Sequence, residues 1–155
     1  MEAVDQSAAE TRHLMAPAER LLLGSLRGWA AGRLEGHVPH QAVANALAWR
    51  TSGQVAAIFL SWVQAIEAGC RRPIQADCPE CGGASVDLQR LVIACGVAPV
   101  DAELSARLLE PLVTDPVQMM LLSQRLNRAF AASGWPLPAR LPAGHQPAAP
   151  PPTLH

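Results

Sequence analysis

The chain has no lysine and no tyrosine, and its four cysteines are too few for a disulfide scaffold in 155 residues. It also lacks a long apolar run. The longest, Val55 to Ile66, has twelve residues, and a helix needs about 20 to cross a bilayer. Charge is sparse and balanced, with a net of -1, so no bulk electrostatic attraction to nucleic acid or anionic lipid is expected. The opening residues, MEAVDQSAAETR, are acidic and polar rather than signal-like. The expected compartment is therefore the cytoplasm, where cysteines stay reduced. No H-E-x-x-H, G-x-S-x-G, P-loop or G-x-G-x-x-G occurs. Glu35, Glu67, Glu80 and Glu110 are dispersed, with no visible acid/base pairing.

What is present suits one helical domain. Half of the residues are apolar, and a chain of about 150 residues can bury roughly 70% of its unfolded surface. All twelve basic residues are arginine. That bias, with abundant alanine, reads as GC-rich bacterial coding and not as a functional patch. The expected organisation is a loose leader over 1–13, a helical domain over 14–135 and a disordered Pro-rich tail over 136–155. Seven of the last twenty residues are proline.

The fold class expected is all-α, a compact bundle of five or six helices. Pro17 opens the first, over about 17–35, with Leu22, Leu26, Trp29 and Ala30 on one stripe. Gln41 to Ala68 divides at "TSG" into helices 40–50 and 53–68, expected to run nearly collinear, with Ser52 capping the second. Ser85 caps the next, with Leu88, Leu91, Val92 and Cys95 on one face and Gly96 placed to end it. A strand over 86–93 competes, because Val86, Leu88 and Val92 also alternate. Asp101 caps a helix over 102–113 that Pro111 distorts. Asp115-Pro116 starts the last, with Met119, Leu122, Leu126 and Phe130 inward and Gly134 at its end.

One loop, 69–84, is longer than usual and carries Cys70, Cys78 and Cys81. In "CPECGG" two thiols stand two residues apart and glycines follow, the composition in which backbone N–H groups can approach the sulfurs. These six residues resemble the knuckle of zinc-ribbon proteins. The resemblance implies a zinc on Cys78 and Cys81, but the second C-x-x-C of a ribbon is missing. Cys70 is the expected third ligand. Cys95 is a candidate fourth, although a helix over 85–95 would carry it about 15 Å from the knuckle. His37 and His40 also have ligand-like spacing. A continuous helix after them would place them about 40 Å away, and each reads better as an exposed connector residue. A redox pair at Cys78 and Cys81 is the other chemical reading, without the βαβ setting such pairs usually have.

Residues 41–66 resemble a helix-turn-helix in pattern, yet the second helix offers mainly Gln54, Ser61 and Gln64 for reading bases. Trp29, Trp49 and Trp62 fall in apolar helix patterns and are expected in the core, while Trp135 is placed to staple the tail. The function expected is a small non-enzymatic cytoplasmic interaction or regulatory protein, its loop ordered by zinc. Its partner would be another protein or a second copy. A DNA-binding regulator and a thiol redox sensor are the alternatives.

Overall fold

A computed structural model describes residues 15–77 and 83–144. The architecture is all-α, with six helices: α1 (Pro17–Leu34), α2 (His40–Arg50), α3 (Gly53–Gly69), α4 (Val86–Val97), α5 (Ala102–Leu109) and α6 (Pro116–Ala132). No strand forms among the described residues. Two isolated antiparallel bridges do, Cys70 with Val113 and Asp77 with Ala84.

Short polar side chains set where the helices begin. Ser52, Ser85, Asp101 and Asp115 each accept a hydrogen bond from the N–H three residues on, the N-cap geometry that satisfies an otherwise orphan donor. α1 begins differently: Glu19 reaches back to accept the Ala16 N–H at 2.8 Å, half of a capping box. The strand alternative for 86–93 is not taken up, because the Ser85 cap and the stripe of Leu88, Leu91 and Cys95 both serve a helix. α5 stops at Leu109, since Pro111 cannot supply the next helical N–H.

α3 lies at the centre, packed between α2 and α6, while α4 is enclosed by α1, α5 and α6. The core joins Leu22 and Leu26 of α1, Phe59, Trp62, Val63 and Ile66 of α3, Leu88 and Leu91 of α4, and Met119, Leu126 and Phe130 of α6. Its few polar groups are paired across helices. The Trp62 indole N–H donates to Ser123 Oγ at 3.0 Å, and that hydroxyl donates to Met119 O. Asn127 Nδ2 donates to Cys95 O and Ser105 Oγ to Ala94 O. Burying such groups unpaired would cost a few kcal/mol each.

Three expectations change. α2 and α3 are not collinear: the chain reverses at Thr51–Ser52, so His40 at the start of α2 meets Glu67 near the end of α3. A collinear pair would hold those residues about 40 Å apart. Gly96 does not end a helix. It lies inside α4 against the Pro138 carbonyl, where any Cβ would collide with that oxygen. That close approach draws the segment after α6 onto the body. Leu137 is buried and the Arg140 guanidinium pairs with Glu19 of α1 at 2.8 Å. The expected tail from 136 is thus packed through Arg140, and residues 145–155 lie outside the described part, as does the leader before residue 15.

Candidate functional site

The long loop is fastened to the body on both sides of the C-x-x-C turn. Its entry is tied to the α5–α6 turn: Arg71 N–H donates to Leu112 O, Thr114 N–H to Gly69 O, and Arg71 Nε lies 2.9 Å from Glu110 O and 3.1 Å from Val113 O. Arg71 thereby serves carbonyls of the turn that follows α5. Arg72 makes a two-pronged pair with Asp87, at 2.6 and 2.8 Å. The second Asp87 oxygen engaged by Arg72 Nη1 also accepts the Gln75 N–H. Ser85 ties the exit to the entry, its N–H donating to Ala76 O and its hydroxyl to Gln75 O. The Arg72 hydrogen bond, helped by the Gln75 N–H and the charges of Arg72 and Arg90, outweighs burial and holds the Asp87 carboxyl below its usual range.

The loop was expected to need zinc for its order. Its base is instead ordered by Arg71, Arg72, Ser85 and Asp87. Only residues 78–82 remain between the fastened ends, so Cys78 and Cys81 lie outside the described residues. Asp77 and Ala84 are bridged to each other, which brings the two ends of the C-x-x-C segment side by side. Arg27 holds Asp77 at 2.8 Å, an exposed pair of small energetic weight.

The other two cysteines occupy different surroundings. Cys70 caps the end of α3, half-buried, and its thiol faces Glu67 O at 3.9 Å. It lines a cavity of about 170 Å³ with Trp29, Arg33, Glu67, Pro73 and Ile74. Cys95 is sealed between α4 and α6, its thiol donating to Ser123 O. Burial pushes its pKa up, the reverse of what a thiolate ligand needs. Among the described residues, no three His, Cys, Asp or Glu side chains gather into a group that could hold a metal.

His40 and Glu67 form a cluster not foreseen from the sequence. Glu67 Oε1 accepts the Trp29 indole N–H at 2.7 Å and meets His40 Nε2, while Arg33 approaches Oε2 at 3.6 Å. His40 is no exposed connector residue: its side chain is 15% exposed, and its Nδ1 is buried without a partner. Burial would raise the Glu67 pKa, but hydrogen bonds from Trp29 and His40 and the charges of His40 and Arg33 lower it overall. Each carboxylate oxygen thus faces a partner from α1 or α2. The arrangement makes Glu67 an anchor for α1, α2 and α3. His37, by contrast, is exposed beside Glu35.

Of the helix pair 41–66, α3 is the one turned mainly to core packing. α3 carries no basic residue, and it buries Val55, Phe59, Trp62, Val63 and Ile66. Its exposed positions include Gln54, Ser61 and Gln64, short neutral side chains without a phosphate-binding charge. No helix among the described residues is long and apolar enough to cross a membrane.

A concavity lies elsewhere, between α1 and α2. It measures about 490 Å³ and is lined by Pro17, Arg20, Leu21, Gly24, Ser25, Val43, Ala46, Leu47, Arg50 and Trp135. Trp49, on another face of α2, was expected in the core and is 90% exposed. α2 turns Ala44 and Leu47 inward, and at 100° per residue Trp49 falls on the far side of the helix from both. Leu34 and Val38, near the α1–α2 connection, are 68% and 82% exposed. The sequence signal for this region was the spacing of Gly24, Gly28 and Gly32 at four-residue steps along α1. No protein-family model matches the chain, and neither does any curated protein or solved structure.

Proposed function

We propose that the chain is a non-enzymatic interaction protein that presents the outer side of α1 and α2 to a protein partner. One observation carries the reading: Leu34, Val38 and Trp49 are large apolar side chains left in solvent between residues 34 and 49, while Trp29 and Trp62 are buried. Scattered exposed apolar residues are ordinary, but a tryptophan as bare as Trp49 has the composition of an interface anchor. The charged side chains at the loop base and around Glu67 support the same reading, because they hold segments of the body together. A photo-crosslinking amino acid in place of Trp49, with one in place of Arg128 on α6 as control, tests it in the producing cell. The expected result is the same adduct recurring from position 49 and absent from position 128. No adduct at 49, or equal adducts at both, overturns it.

A second reading concerns the loop. The Asp77–Ala84 bridge brings the residues on either side of the C-x-x-C segment together, which supports a zinc held by Cys78 and Cys81. With Cys70 from the same loop as third ligand, zinc would add to a loop base that is already fastened. Cys95 is not put forward as the fourth ligand, being sealed in the core. Elemental analysis of protein purified without a histidine tag, alongside Cys78→Ser, provides the test. About one zinc per chain is expected, or about half if two chains share a four-ligand site. Less than about half, or retention of zinc in Cys78→Ser, removes this reading.

A further inference from the structure

The groove between α1 and α2 arises because the two helices part. Consider a Cβ added at each glycine of the α1 stripe. At Gly32 it would sit 2.8 Å from the Pro39 ring, at Gly28 3.5 Å from Val43 Cγ2, and at Gly24 nothing lies within 4 Å. The helices touch near their connection and separate steadily over two further turns. α2 therefore abuts Gly32, only brushes the exposed Gly28 and leaves Gly24 without a neighbour. Beyond Gly28 the α1 wall passes Ser25 and Gly24 to Leu21, Arg20 and Pro17.

Charge selects what fits. Arg20 and Arg50 line this opened end and are exposed. Neither has an ion pair among the described residues, and the lining contains no carboxylate. The nearby Glu19 is engaged by Arg140 and by the Ala16 N–H. Two guanidinium groups at one site repel each other and favour an anion between them. Besides Gly24 and Ser25, the wall is completed by Pro17, Leu21, Val43, Ala46, Leu47 and Trp135. A nucleic acid would be drawn by a broad basic surface, and this chain has a net charge of -1. A concavity of about 490 Å³ whose walls are almost equally polar and apolar suits a ligand that is itself amphipathic. From Pro17 to Ser25 the α1 wall runs about 12 Å, the length of two helical turns.

Deepening the interaction reading above, we propose that this groove binds a short amphipathic helix of a partner protein, leucine-like on one face and acidic on its flanks. Its apolar face packs over Gly24 between Leu21 and Leu47, and its carboxylates meet Arg20 and Arg50. The mode is helix in groove, with apolar anchors at i, i+3, i+4 and i+7.

Fluorescence anisotropy with the full chain and a labelled peptide of about twelve residues, leucine at those anchor positions and glutamate elsewhere, tests the proposal directly. The control peptide has lysine in place of glutamate. Saturable binding of the Glu/Leu peptide is expected, about tenfold or more tighter than the Lys/Leu peptide. The double variant Arg20→Glu, Arg50→Glu should reverse that preference. Gly24→Leu should weaken binding about tenfold or more by filling the groove, with helical content kept and the thermal midpoint equal or higher, since a side chain there begins in open space and leucine is the better helix former. Three results overturn the proposal: no saturable binding up to about 1 mM, equal binding of both peptides, or unchanged affinity in Gly24→Leu. A dimer of the chain that the Glu/Leu peptide cannot displace also overturns it, by assigning the groove to a second copy. Crosslinking at position 49 reports on the partner whatever its chemistry. An adduct there with no peptide binding removes the acidic helix and leaves the interaction reading, whereas the absence of both removes both.

Discussion

α2 and α3 are consecutive helices joined by a sharp reversal, and they are treated oppositely by the fold. α3 has neighbours on both sides and buries Phe59, Trp62 and Val63 completely. α2 has α1 and α3 on its inner side and buries Ala44 and Leu47 alone. Each helix carries one tryptophan. Trp62 is enclosed and donates to Ser123 Oγ; Trp49 stands in solvent. The same residue type can therefore hold a core together or be left available to a partner. The choice follows from where each falls around its helix relative to the neighbouring helices.

The sharpest way to break this contrast is to truncate both rings. Trp62→Ala removes a large buried side chain and leaves a cavity, so a loss of about 3–5 kcal/mol is expected in a denaturant titration. Trp49→Ala should fall within about 0.5 kcal/mol of the parent. Similar losses for the two variants would mean that Trp49 packs on the body and is not free for a partner.

A second contrast sets the loop base against its tip. The base depends on Asp87, whose carboxylate takes both prongs of Arg72 and the Gln75 N–H. Asp87→Asn should cost about 1.5–3 kcal/mol at neutral pH, the range for hydrogen bonds to a charged group. The folded chain holds the Asp87 proton less tightly than the unfolded chain does. Its stabilisation is then complete above the ordinary carboxylate pKa of about 3.9 and disappears as pH falls through the lower folded value. Asp87→Asn should accordingly flatten the acid limb of the stability profile below about pH 5. An acid limb as steep as the parent's would move the controlling carboxylate elsewhere, with Glu67, also lowered, the next to replace.

The helical body was legible because its signals are local. Ser52, Ser85, Asp101 and Asp115 cap helices within three residues of themselves, and the stripes of α1, α4 and α6 repeat at helical spacing. What was misread depends on contacts far along the chain. His40 looked exposed because its partner, Glu67, comes next to it only after the reversal at Ser52. Gly96 looked like a helix stop because the Pro138 carbonyl that excludes a side chain there lies in the segment taken for a tail. Trp49 looked buried because α2 is too short to show which face the neighbouring helices leave uncovered. Of the candidate metal site, C-x-x-C was visible as a motif. The bridge closing its ends and the arginines fastening its base required the folded chain.

The smallest effects test the splay of α1 against α2, and here the sign matters more than the size. All three stripe glycines lie in α1, where replacement by alanine gains about 1 kcal/mol of helix propensity. Whether that gain survives depends on what the new methyl meets. At Gly32 it meets the Pro39 ring at 2.8 Å. Moving α2 aside would cost about 1–3 kcal/mol, so Gly32→Ala should be neutral to destabilising by about 2 kcal/mol. Gly24→Ala meets nothing within 4 Å and should stabilise by about 0.5–1 kcal/mol. Gly28→Ala, in ordinary contact with Val43 at 3.5 Å, should fall between them. That graded order, measured by thermal or denaturant unfolding, would record the widening of the groove turn by turn. Equal stabilisation at Gly24 and Gly32 would mean that α2 moves away freely, leaving no fixed groove for an acidic helix to enter.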